Sequence, residues 1–208
     1  MKLFKIKSYL VAGLVLLGSL VVLWFMWQKG DNILPSEIKT TKQALDVLVD
    51  KGFYIYPTKI KLPNLSFMDV KGNNKNLAML MGDYNLLLIN LWQIGCPPCL
   101  EEMPQLDSLS INLAKDKIKV LMINYGDQIS NQQDFLTDYP YALEFWSDVE
   151  LASESFLKTV PANEGIYGLP QTYLIDASGN FVAALFGIIN WDDEHIKSAL
   201  TKLATSKI

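Results

Sequence analysis

The feature that most constrains the fold is a seven-residue run, Leu86-Leu87-Leu88-Ile89-Asn90-Leu91-Trp92, ending four residues before Cys96-Pro97-Pro98-Cys99. A short, nearly continuous apolar run reads as a strand buried on both faces, and such strands lie inside sheets covered by helices. The two prolines then mark a helix start, because first-turn N–H groups have no intrahelical acceptor and nothing is lost by removing them. The chain therefore passes from an interior strand almost directly into a helix, with Cys96 at the helix N-terminus.

That position has a chemical consequence. The N-terminal end of a helix carries roughly half a unit of positive charge and unpaired backbone N–H groups, which lower a thiol pKa from about 8.5 into the range of about 3.5 to 7.5. The thiolate is the attacking species in disulfide exchange. Cys96 is thus the expected nucleophile, and Cys99, one turn on and more buried, the thiol that resolves a mixed disulfide. Three other readings of the pair stand beside this one. A structural disulfide would close too small a loop to stabilise much by chain entropy. A zinc site needs about four ligands, and the chain offers two cysteines and one histidine. The third is a pair of inert thiols.

Two further positions carry candidate roles. Glu101 and Glu102 fall in the first turns of the helix, where both interact favourably with its dipole. Glu102, three residues after Cys99, is also a candidate proton acceptor or donor during exchange. Leu169-Pro170 precedes a strand and either ends a loop or forms a cis peptide that would present backbone groups to an extended peptide beside the thiols. Apart from the redox-active pair Cys96 and Cys99, the site is expected to use no cofactor and no metal.

The rest of the chain alternates. Strands are expected at 65–69, 85–92, 118–124, 142–146, 171–176 and 180–187, and helices at 38–51, 98–114, 129–138, 150–158 and 193–206. Ala177-Ser178-Gly179-Asn180 supplies a turn between the last two strands. This order indicates an α/β fold, a sheet with helices covering its faces.

The N-terminus reads differently. Tyr9 to Trp27 contain no charged side chain, and at roughly 1.5 Å per residue they span about 28 Å, close to the hydrocarbon thickness of a bilayer. The run exceeds the roughly 7 to 15 residues of a signal-peptide core and no A-x-A-like site follows, so an uncleaved transmembrane helix is expected, with a cleaved leader as the alternative. Lys2, Lys5 and Lys7 before the span, against Lys29 just after it, place the N-terminus in the cytoplasm. The expected organisation is residues 1–8 cytoplasmic, 9–27 anchor, 28–59 tether and short helix, and 60–208 the exported domain. Beyond the first three lysines there are 15 lysines and no arginine against 22 carboxylates, a formal charge near −7. Such a surface is poorly equipped for phosphate backbones, which excludes nucleic acid as the expected partner.

Strand, Trp92, Cys96-x-x-Cys99, a helix containing Pro104, and Gly168-Leu169-Pro170 before a strand together resemble a thioredoxin-like fold, a mixed central sheet flanked by helices, over about residues 60–206. Within it the chain resembles the membrane-anchored TlpA/ResA-like branch. Met122-Ile123-Asn124-Tyr125-Gly126-Asp127, Tyr139-Pro140-Tyr141-Ala142-Leu143 and Gly165 to Asp176 are similar to the DsbE/CcmG proteins of cytochrome c maturation. The resemblance implies that Cys96 attacks, Cys99 resolves, Pro170 is the cis-proline and Glu102 is the family's acidic residue. It implies a bacterial inner-membrane protein with its catalytic domain in the periplasm. The implied partners are exported disulfides such as apocytochrome c or haem-ligation factors, a membrane electron relay as reductant, and lipid through the anchor. Three positions depart from the pattern: Gly95 where an aromatic residue is common, Asn90 where thioredoxins bury an acid, and Gln171 where the family has Glu. A general oxidase or isomerase of exported proteins, and a Cu(I) chaperone using both thiolates, are the alternative functions.

Overall fold

The computed structural model describes residues 34–159 and 168–206. The expected anchor at 9–27 and most of the 159–163 segment lie outside these residues. Among the described residues no helix is long and apolar enough to cross a membrane.

Eight strands form one mixed sheet: β1 (Tyr54–Ile55), β2 (Ser66–Asp69), β3 (Asn74–Asn76), β4 (Leu86–Trp92), β5 (Ile118–Tyr125), β6 (Glu144–Asp148), β7 (Gln171–Asp176) and β8 (Phe181–Phe186), in the spatial order β1-β8-β7-β4-β5-β6-β2-β3. The three strands β4, β5 and β6 run parallel, and β7 and β8 continue the sheet antiparallel. Among the described residues five α-helices accompany them: α1 (Thr41–Asp50), α2 (Pro97–Leu113), α3 (Ile129–Asp138), α4 (Glu154–Leu157) and α5 (Glu194–Thr205). All seven residues of β4 are buried, as the apolar run requires of a strand with neighbours on both edges and cover on both faces.

Alternation along β4 sorts its side chains. Leu87, Ile89 and Leu91 join Leu121, Ile123 and Tyr173 in the hydrophobic cluster of one face. Leu86, Leu88, Asn90 and Trp92 point to the opposite face, where Asn90 meets α2 through Glu102. The sheet is thereby built so that one polar residue of an apolar strand faces the helix that carries both cysteines.

The expected strands and helices are present with shifted ends. The segment expected to be helical from 150 is helical only at α4, because the Asp148 carboxylate takes the N–H groups of Ala152 and Ser153 and Leu151 turns at φ 56°. Two strands escape a sequence reading. β1 is two residues long and exists by pairing with β8, and β3 is Asn-Lys-Asn, closed onto β2 by a turn in which Asp69 accepts from the N–H groups of Lys71 and Asn73. The segment 28–59 was expected to lie outside the domain, yet the chain from Pro35 onward is one compact unit. Its helix α1, started by a capping box between Thr40 and Gln43, packs Ala44, Val47 and Leu48 inward against α5, and β1 extends the sheet edge.

Candidate functional site

Helix α2 begins as the prolines demand. Cys96 is its N-cap in an extended conformation, Pro97 and Pro98 fill the first turn, and the Cys99 N–H donates to Cys96 Sγ at 3.3 Å. Cys96 and Cys99 are joined in a disulfide. Cys96 keeps 9% of its surface while Cys99 keeps none, so an incoming thiol or thiolate meets Cys96 first. The Leu169-Pro170 bond is cis. Beside Cys96 opens a cleft of about 540 Å³ whose walls include Leu91, Gln93, Pro97, Tyr125, Leu169 and Gln171. Among the described residues its lining carries no charged side chain.

Gln171 shows what the missing charge does. Its Nε2 donates to the Gly168 carbonyl at 2.8 Å and its Oε1 accepts from the Tyr173 hydroxyl at 2.8 Å. A neutral amide can serve one acceptor and one donor at once, so it ties the Gly168-Leu169-Pro170 turn to the core without adding a buried charge.

Behind the thiols lies a buried polar cluster. Glu102 is 2% exposed, with Oε1 accepting from Asn90 Nδ2 at 2.7 Å and Oε2 from the indole Nε1 of Trp191 at 2.8 Å. Asn90 also donates to Thr172 Oγ1 at 3.0 Å, while its own Oδ1 has no partner among the described residues. Burial pushes the Glu102 carboxyl up to about 7, against the two hydrogen bonds, which favour the charged form. A carboxyl poised there can take or give a proton near neutral pH. Glu102 also lines a second, smaller opening with Gln105 and Ile188 to Asn190, which shares no lining residue with the cleft at Cys96.

The four positions read from sequence therefore divide into two places. Cys96 and the Leu169-Pro170 turn flank the cleft, whereas Cys99 and Glu102 are buried, three residues apart and on one face of α2. Trp191 was not foreseen as a partner of Glu102. It is 89 residues away in the chain, and no periodicity marks it. The only available signal is chemical, since a buried indole N–H and a buried carboxylate each require a partner.

Comparisons with known proteins agree with this geometry. The AhpC/TSA family matches residues 58–184. The thiol:disulfide interchange protein DsbE of Vibrio cholerae serotype O1 is 33% identical over 95 residues, 45% of this chain and 45% of that protein, so the match spans about half of the relative. DsbE of Pseudomonas fluorescens biotype C is 30% identical over 160 residues, 71% of this chain and 83% of that protein. Among solved structures, a secreted thiol-disulfide isomerase from Corynebacterium glutamicum superposes with a TM-score of 0.62 at 23% identity, covering 75% of this chain and 93% of that one, which bears on the fold alone. With a CxxC disulfide of the thiol:disulfide oxidoreductase kind at the head of α2 and the family match covering most of the sheet, the chain belongs to the AhpC/TSA family of thioredoxin-like proteins.

Proposed function

We propose that the protein is a thiol:disulfide oxidoreductase, anchored by residues 9–27 in the inner membrane of a bacterium with its domain in the periplasm, that reduces specific exported disulfides such as that of apocytochrome c. The observation that carries the exchange chemistry is the Cys96–Cys99 disulfide at the N-terminus of α2, one sulfur at the cleft and the other buried. The reducing direction and the link to cytochrome c maturation rest on the likeness to proteins named DsbE and on the resemblance of the sequence around Tyr125 and Tyr167.

In the proposed cycle the Cys96 thiolate attacks one sulfur of the substrate disulfide. The substrate S–S bond breaks, one substrate sulfur leaves as a thiolate that takes a proton from water, and a mixed disulfide remains on Cys96. Cys99 then gives its proton to Glu102 and attacks Cys96 Sγ, which breaks the mixed disulfide, forms the Cys96–Cys99 bond and releases the second substrate sulfur as a thiolate that is likewise protonated from water, while Glu102 returns its proton to solvent. Two electrons pass to the substrate, and a membrane relay protein returns them. The Leu169-Pro170 turn offers its backbone to the substrate chain, and the cleft accommodates uncharged side chains beside its cysteine.

A mixed-disulfide trap tests this. Cys99→Ala in the membrane-bound protein should accumulate one or a few exported partners, an apocytochrome c or a haem-ligation factor among them. Capture of many unrelated exported proteins would replace the specific reductant with a general oxidase or isomerase. An equilibrium potential against glutathione near that of the oxidant DsbA, about −120 mV, would sink the reducing direction.

A further inference from the structure

Between the end of β4 at Trp92 and the start of α2 at Pro97 there are four residues, Gln93 to Cys96, and no helix or strand holds them. What holds them is the turn after β5. The Asp127 carboxylate accepts from the Ile94 N–H at 2.9 Å through Oδ2, and the same oxygen accepts from Asn124 Nδ2 at 2.8 Å. Asn124 Oδ1 in return accepts from the Asp127 N–H at 3.0 Å, and the Asp127 carbonyl accepts from Gln132 Nε2 at 2.9 Å. Asn124 and Gln132 are fully buried, and Gln132 is fixed in turn by the Ser147 hydroxyl at 2.8 Å. A second tie runs from Gln93 Nε2 to the Tyr125 carbonyl, and the Cys96 N–H closes the loop onto the Gln93 carbonyl at 3.2 Å. Gly95 contributes no side chain to this bracing, and among the described residues nothing stands within 4 Å of where its Cβ would be.

From this arrangement we infer that Asp127 is a positioning residue: through the Ile94 N–H it keeps Cys96 at the N-cap of α2 when the disulfide is open. The inference rests on Cys96 being the attacking thiol. In the oxidised protein the S–S bond itself pins Cys96 to the first turn of the helix. In the reduced protein that covalent tie is gone, and the Cys99 N–H bond to Cys96 Sγ survives only if the Gln93–Cys96 loop stays where it is. The carboxylate that accepts from Ile94 also accepts from Asn124 Nδ2, and the Asp127 backbone is tied to the buried Asn124 and Gln132, so the loop is fixed from outside the redox pair. The contribution is therefore unequal in the two redox states, larger in the reduced one, and it favours a thiolate at the helix N-terminus.

The experiment compares Asp127→Ala, Asp127→Asn and the parent in the reduced full-length protein. It reads the rate and site of iodoacetamide alkylation and the equilibrium with glutathione. Asp127→Ala should slow Cys96 alkylation roughly fivefold to tenfold and shift the equilibrium by a similar factor toward the disulfide form, the scale expected for the net contribution of one hydrogen bond. Asp127→Asn keeps an acceptor oxygen for Ile94 and should restore both within about twofold. Equal loss of stability in both redox states with unchanged alkylation and equilibrium would overturn the inference, and so would an Asn variant as impaired as Ala. If the Ala variant fails to fold, hydrogen exchange in the parent decides: the Ile94 amide must stay protected after reduction, and rapid exchange there overturns the inference. Alkylation of the parent at Cys99 instead of Cys96 would instead count against the proposed function, so the two failures are told apart.

Discussion

The two cysteines sit three residues apart in one helix, yet their surroundings have little in common. Cys96 caps α2 at the mouth of a cleft that carries no charged side chain among the described residues, and what surrounds it is fixed: backbone N–H groups, two prolines, and a loop braced from β5. Cys99 is wholly buried, and the group one turn beyond it, Glu102, titrates near neutral pH. Fixed dipoles stabilise a thiolate at all times. A titratable acid moves a proton only when one is to be moved. On the proposed cycle this difference makes attack and resolution separable steps with separate controls, and substitutions on one side should leave the other side's signature intact.

The largest effect should come from the attacking sulfur itself. Cys96→Ser should lower disulfide reductase activity by on the order of 10³-fold or more, since the nucleophile has no substitute in the chain. Cys99→Ala should instead leave the first attack intact and accumulate mixed disulfide, visible as a mass increase equal to one half of a small disulfide substrate. A Cys99→Ala protein that neither turns over nor forms the adduct would break the division of labour.

Next in size is Glu102→Gln. Loss of the proton acceptor should slow resolution by about 10²-fold, at the lower end of what general acid–base catalysis supplies, while Cys96 alkylation stays near that of the parent. The same group predicts a pH dependence of stability. Its carboxyl lies at about 7 in the folded protein against an ordinary value of 4.5, so the folded state binds the proton more tightly than the unfolded one. The stability it contributes is fully present below about 4.5 and is lost as pH rises through about 7, an effect of about 3 kcal/mol in all. Urea titrations of the parent and Glu102→Gln across that window should show the parent losing ground to the variant as pH rises. Parallel curves would mean that Glu102 is charged throughout and cannot serve as described.

How much of this was legible in the sequence follows from the range of the interactions. Helix α2 and strand β4 were readable because a seven-residue apolar run, two adjacent prolines and a CxxC act locally. The same holds for Gly179 in its turn at φ 75°. By contrast β1 and β3 have no local signal: two residues in one case, Asn-Lys-Asn in the other, both strands only because a neighbour supplies the pairing. The site divides in the same way. The sequence marks Cys96, Cys99, Glu102 and Pro170 by spacing and resemblance, and Asn90 as a departure. It does not mark that Asn90 and Trp191 converge on one carboxylate, nor that Asp127 reaches back to Ile94, because the Trp191–Glu102 and Asp127–Ile94 contacts join segments separated by other strands and helices.

A smaller change probes the acid's setting. Trp191→Phe removes the indole donor from Glu102 Oε2 and keeps an aromatic ring beside Phe53. The charged carboxylate loses a hydrogen bond that the neutral acid needs less, so the pH midpoint of the resolving step should rise by roughly one unit. The attack step, followed as Cys96 alkylation, should not respond. A midpoint that stays in place would show that the titrating group governing resolution is not Glu102.

The smallest effect on stability is expected at Gly95, and it tests the attack side by itself. Among the described residues a Cβ at this position meets nothing within 4 Å, and its backbone is not in the left-handed region. Gly95→Trp should therefore change folding free energy by no more than about 0.5 kcal/mol, while adding an aromatic surface directly before Cys96. Combined with the Cys99→Ala trap, it should alter which exported proteins are captured and leave the pH midpoint of resolution, measured in the Cys99-containing protein, where it was. If the captured set is unchanged, partner choice is made by the cleft walls at Tyr125 and Leu169 and not by the residue before Cys96. A shifted pH midpoint would mean that the two sides of α2 communicate, and the separation of attack from resolution would have to be given up.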